Sequence, residues 1–220
     1  MTTQQISPVS QFSIVILGAM NPAIHHPIWY QLNKLLGDDE VKQALTAGGL
    51  VNSPDVSQFS CSDFRITCMR DRWDIFTTKS ELRARMLTIA AAVFVKLPET
   101  PIGLFAFNND FHLQTRSADV GTLLGKKLSQ LHLNLPAGIS KESITINMDT
   151  PYPTTFRIEP SPHSPNMVFV AVNTNHPVPS SEAGYFDLTP MLTEFFEKDF
   201  AMASSRASAI AQAIDGGEGA

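Results

Sequence analysis

Hydrophobic residues recur along this chain with two periods, and the changes between them mark out its elements. "FSIVIL" (Phe12–Leu17) is a continuous apolar run stopped by Gly18, the pattern of a short strand covered on both faces. Pro27 suits the first turn of a helix, and Ile28, Leu32, Leu35 and Leu36 follow at helical spacing. Residues 37–58 read as a short polar helix and a loop, with Gly48-Gly49 as the helix stop. "SDFRITCM" and "RWDIFTT" then alternate with period two on either side of Arg70-Asp71. That spacing predicts an antiparallel hairpin with Cys68 opposite Trp73, Ile66 opposite Ile75 and Phe64 opposite Thr77. On its other face Thr67 meets Asp74 and Arg65 meets Phe76. Asp63, Arg65, Arg72 and Asp74 make that face polar, so the hairpin should be half exposed.

The period switches again at Ser80. Leu82, Met86, Ile89, Val93 and Leu97 form one helical stripe, with Leu87, Ala91 and Phe94 beside it, predicting a helix over 81–97 closed by Pro98. Its charges sit in the first turns, so its later turns should be buried between layers or covered by another subunit. "TPIGLFAFNNDFHLQT" reads as one long strand, and a helix is expected over 118–131. "SITINMDT", "TTFRIEPS" and "NMVFVAVNTN" are three further strands. A final amphipathic helix begins at Asp187 or Thr189, and the Ser and Ala of its second half suggest close packing.

These elements add up to an α+β fold: a mainly antiparallel sheet of about six to seven strands, with helices packed on one side and a long C-terminal helix. Residues 1–11 and 215–220 are expected to be flexible, and 12–214 to form one domain, with 132–142 as the seam if it is built of two packed halves. "LFAFNNDFH" and "FVAVNTNH" echo one another faintly; chance accounts for two such short strands, and a duplicated unit matching His112 with His176 is the alternative. Strand-rich segments followed by a long terminal helix are similar in layout to SecB-like secretion chaperones, a resemblance of element order alone. It implies an α+β adaptor. A doubly wound α/β fold is the runner-up, but no G-x-G-x-x-G follows "FSIVILG".

Composition narrows the function classes. The 220 residues are 43% hydrophobic and 17% charged, with net charge −5. No run of Lys or Arg exceeds two residues, which argues against nucleic-acid binding through phosphate neutralisation. "TLLGKKL" fails as a phosphate loop because Lys127 stands where Ser or Thr is needed. The longest apolar runs fall short of the ~18 residues of a membrane span, and "MTTQQISPVS" lacks a signal-peptide pattern. Were Cys61 and Cys68 on one strand, seven steps would place them about 23 Å apart, beyond disulfide reach. A reduced, cytoplasmic protein is the expectation.

Two places could carry chemistry. His25-His26 precedes Pro27 and reads as a strand-to-helix joint, because adjacent residues there do not converge on one ion. The long strand is more suggestive, since alternation puts Asn108, Asp110 and His112 on one side at steps of ~6.6 Å. A histidine beside a carboxylate is a start for acid–base chemistry, yet that spacing exceeds a direct hydrogen bond and no nucleophile accompanies the row. Asn108, Asp110 and His112, with Arg116 and His176, are therefore candidate binding residues; the bland reading makes the row the solvated face of a strand. No catalytic residue, metal site or cofactor is expected. The preferred function is a non-catalytic interaction or assembly protein, adaptor- or chaperone-like, with a protein partner or a second copy of itself. The alternative is an enzyme or small-ligand binder using the Asn108–Asp110–His112 face.

Overall fold

The computed structural model describes residues 10–116, 119–124, 143–149, 152–179 and 187–215. Among these described residues lie one nine-stranded antiparallel sheet and a long C-terminal helix, so the α+β class holds. In chain order the strands are β1 (Gln11–Gly18), β2 (Val51–Asn52), β3 (Val56–Cys61), β4 (Phe64–Met69), β5 (Arg72–Thr77), β6 (Ile102–Gln114), β7 (Ile144–Met148), β8 (Thr154–Pro160) and β9 (Met167–Pro177). The α-helices whose bounds lie within the described residues are α1 (Pro27–Leu32), α2 (Asp38–Thr46), α3 (Arg83–Lys96) and α4 (Thr189–Asp215). The sheet order is β2-β3-β4-β5-β1-β6-β9-β8-β7. The two strands beyond the expected seven are β2 and β3, in the stretch read as loop and hairpin entry. β3 buries Ser57, Phe59 and Cys61 on one face, a row too polar to stand out as an apolar stripe.

Contacts divide the chain into two compact units. Of the described residues, one holds those within 11–108 and 175–198; the other holds those within 109–174 and 199–215, together with Ser10. The first is organised by the predicted hairpin, whose register is as expected: Cys68 opposite Trp73, Ile66 opposite Ile75 and Phe64 opposite Thr77. β1 pairs with β5 and places Ile14 opposite Ile75. Phe12, Ile14, Ile16, Trp73, Ile75, Phe64, Ile66 and Phe59 are all buried, forming one wall of a core. α3 closes it with Met86, Ile89, Ala90, Val93 and Phe94, and Phe94 meets the Trp73 ring edge-on at 5.5 Å. At the end of β1 a Cβ on Gly18 would lie 2.1 Å from the Pro101 carbonyl oxygen, so only glycine fits that close approach.

Two readings of this unit are revised. Asp74 is only 7% exposed and receives a 2.9 Å hydrogen bond from Arg72 Nε, so this end of the hairpin is not a solvated face. Cys61 and Cys68 lie on β3 and β4 instead of one strand, opposite Phe64 and Ser57. Four strand steps still separate Cys68 from Phe64, about 13 Å, and both cysteines are buried and free. The joint reading of His25-His26 stands. His26 Nδ1 accepts the Ile28 N–H at 3.3 Å and caps α1, while His25 turns into the core.

In the second unit Phe111, Leu113, Phe156, Ile158, Val168, Val170 and Val172 form a sheet wall. α4 meets it with Ala203, Ala207, Ala211 and Ile214. Three alanines at intervals of four make a thin stripe that lets the helix seat close to the strands, as its composition suggested. β7, β8 and β9 pair antiparallel, with Ile144 opposite Ile158 and Ile158 opposite Val170.

The connections repeat. β1, helices α1 and α2, the β3–β5 meander and α3 are followed by β6, a helical stretch at 120–124, the β7–β9 meander and α4. The corresponding sheet orders are β3-β4-β5-β1 and β7-β8-β9-β6. The "LFAFNNDFH"/"FVAVNTNH" echo does not follow this repeat, because β6 opens the second series while β9 ends its meander. His112 and His176 are therefore not counterparts. The remainder of the expected 118–131 helix, the 132–142 seam, and residues 1–9 and 216–220 lie outside the described residues.

Candidate functional site

β6 carries two rows, as its alternation requires. Phe105, Phe107, Asn109, Phe111 and Leu113 are all buried, so their row is the core side of the strand. Asn108, Asp110 and His112 point the other way, and each meets a different environment. Asn108 Nδ2 donates to Ser13 Oγ on β1 at 2.9 Å. Asp110 is partly buried, with Arg157 and Glu159 of β8 acting on it. Loss of solvent pushes its carboxyl up to about 6; the Arg157 charge opposes the rise and the Glu159 charge adds to it. Arg157 itself lies 3.7 Å from Glu159 and 5.4 Å above the Phe169 ring.

His112 is not solvated. It is 2% exposed, with Nδ1 2.8 Å from Ser161 Oγ, and Ser161 Oγ also accepts the His163 N–H at 3.1 Å. The His163 ring stands edge-on at 4.4 Å and Phe169 is tilted at 4.8 Å. Burial first, and the neighbouring His163 second, lower the His112 pKa to about 4, so the ring is neutral near pH 7. The bland reading of the row as a solvated strand face fails at this end: the turn after β8 folds over it.

The other two candidates stand apart. His176 is fully buried in an aromatic sandwich, stacked 4.8 Å from Phe105 and 4.5 Å from Phe195, with Phe107 at 5.9 Å. Arg116 follows the end of β6, where its backbone N–H donates to Asp215 Oδ1 at 2.7 Å and its side chain is exposed. The structure therefore aligns Asn108, Asp110 and His112 on one face and places His176 in the core row. It adds Arg157, Glu159, Ser161 and His163, which the sequence reading did not single out. The alternation of "TTFRIEPS" already held part of that signal, since it sets Arg157 and Glu159 on one side of a strand.

Acid–base capacity in this row rests on Asp110, because His112 is neutral and enclosed. Among the described residues no group of three or more His, Cys, Asp or Glu is placed to hold a metal ion. Burial pushes both thiols up to about 12, so neither Cys61 nor Cys68 is a ready nucleophile. No described helix is long and apolar enough to cross a membrane.

A second feature lies on α3. Leu87, Thr88, Ala91, Ala92, Val95 and Lys96 line a groove of about 380 Å³, completed by Thr189 and Thr193 at the start of α4. Val95 on its rim is 51% exposed. Compared with known proteins, the chain matches no family model and shows no significant sequence similarity to a curated protein.

Proposed function

We propose that this is a non-catalytic interaction protein that holds an apolar segment of a protein partner along α3. The observation that carries the reading is the α3 groove. Leu87, Ala91, Ala92 and Val95 supply its walls, the small alanines leave room for an incoming side chain, and Thr88, Thr189 and Thr193 supply hydroxyls. The enclosure of His112 and the protonated thiols support a non-catalytic role. Free, buried cysteines support a reducing, cytoplasmic setting.

The test is a photo-crosslinking amino acid at position 95, with the protein expressed in its native host. A discrete adduct of higher mass is expected, and Ala91→Arg in the same protein should remove it by filling the groove with charge. The same probe at the exposed, polar Asp39 should give none. An adduct indifferent to Ala91→Arg, or none at position 95, refutes the reading. The second reading, a small-ligand binder on the β6 face, is favoured by one observation: the partly buried Asp110 carboxyl beside Arg157 and Glu159.

A further inference from the structure

β7 (Ile144–Met148) ends the sheet order, so among the described residues one of its edges faces no strand. The backbone N–H and C=O groups on such an edge are a template for another strand. Proteins ordinarily guard such edges with charge, proline, a bulge or brevity. At the opposite end of the sheet β2 is two residues long. β7 reads Ile-Thr-Ile-Asn-Met over five residues, with no charge and no proline. From this we infer that a second copy of the chain adds its own β7 antiparallel to this edge, about a two-fold axis through Ile146.

Self-complementarity of the strand points to a second copy. In that register Ile146 meets Ile146 of the other copy, and Ile144 meets Met148 twice. These three residues continue the row that pairs with Ile158, Phe156 and Thr154, and Ile144 and Met148 already pack on the core. Ile146, 43% exposed in the single chain, becomes covered. The alternate row sets Thr145 opposite Asn147 twice. Asn147 Oδ1 accepts from Thr155 Oγ1 at 2.9 Å, which leaves its amide N–H groups to reach the Thr145 hydroxyl of the other copy. No like charges meet. Centring the axis one residue either way shortens the ladder or carries it beyond the strand. This surface is separate from the α3 groove, and its test is independent of that reading.

A five-residue ladder is a small contact, and interfaces well under ~1,000 Å² are weak or transient. Association is therefore read by sedimentation equilibrium of the full chain up to about 500 µM, the range where weak dimers populate. The wild type is expected to dimerise, and Ala91→Arg to leave that dimer intact. Thr145→Lys with Asn147→Lys sets Lys opposite Lys twice and should weaken the dimer at least tenfold. Thr145→Lys with Asn147→Glu sets Lys opposite Glu twice and should retain it. Both positions are exposed, and circular dichroism checks each fold. Should the Lys pair unfold the chain, a Glu at each position makes the same like-charge test. A wild type monomeric throughout, or a dimer equally strong in the like-charge and opposite-charge variants, overturns the inference.

Discussion

Removing one oxygen, the phenol of Tyr30, should weaken this fold by several kcal/mol. Tyr30 is fully buried, and its hydroxyl is the node of a three-residue network. Trp73 Nε1 lies 3.0 Å from it and can only donate, so the phenol oxygen accepts there. The phenol proton then goes to His25 Nδ1, 2.9 Å away. His25 must be neutral to accept it, in keeping with burial lowering its pKa to about 4. Tyr30→Phe retains the edge-on contacts with Trp29 at 5.1 Å and Phe59 at 5.3 Å, so packing changes little. It strands two buried polar atoms, the Trp73 N–H and His25 Nδ1. Each orphaned group costs roughly 1–3 kcal/mol, giving about 2–6 kcal/mol in all. That is a large fraction of the ~5–15 kcal/mol by which a domain is usually stable. Urea unfolding followed by Trp fluorescence reads the loss as a lower midpoint at unchanged slope. Adding His25→Leu to Tyr30→Phe removes one of the two orphans, so the double variant should lose less than the sum of the singles. A loss under about 1 kcal/mol for Tyr30→Phe, or strict additivity of the pair, would refute the network.

The remaining predictions concern protons. His25 and His112 both have pKa values lowered to about 4, so acid protonates them in the unfolded chain first. Their contribution is intact above about pH 6.5 and is lost as the pH falls from there towards 4, by up to about 3 kcal/mol for each ring. Thermal melts between pH 8 and pH 4 should show that fall, shallower in His112→Gln, and a flat profile in the wild type would contradict it. Asp110 has the opposite sign: its folded pKa is raised to about 6, so its cost to stability grows as the pH rises through that value. Asp110→Asn should therefore stabilise the protein at pH 8 by about 1–2 kcal/mol, allowing for partial exposure, and change little at pH 4. A destabilised variant at pH 8 would mean that the carboxylate makes a favourable contact in the fold.

What the sequence revealed depended on whether burial leaves a period. The β4–β5 register was legible because Phe64, Ile66 and Cys68 alternate cleanly with polar neighbours and face Trp73 and Ile75. β6 was legible from its Phe row, and the seating of α4 from its alanines. β3 was not, since its buried face mixes Ser57 with Phe59 and Cys61. The candidate row itself could be read from alternation, but its environment could not. Ser161 and His163 reach His112 from about fifty positions away, and no local pattern announces that a turn will fold over a strand. His176 shows the converse. A histidine at the end of an Asn-rich strand looks functional in one dimension and is an aromatic filler in three.

The place of β1 in the sheet sets an order of events during synthesis. β3, β4 and β5 are joined by two-residue turns and can close as soon as they are made. β1 lies between β5 and β6, and its ladder with β5 ends at Leu17 opposite Arg72, closing the whole of residues 18–71. β1 is thus made before either of its neighbours and placed only after both exist. Long-range pairing of this kind is slow, because the loop-closure entropy is lost before the contacts form. Throughout that interval "FSIVIL" is a charge-free, proline-free apolar segment without a partner, the sequence character that nucleates aggregation. Synthesis faster than β1 docking, or a lesion that delays β6, therefore leaves newly made chains exposed at β1.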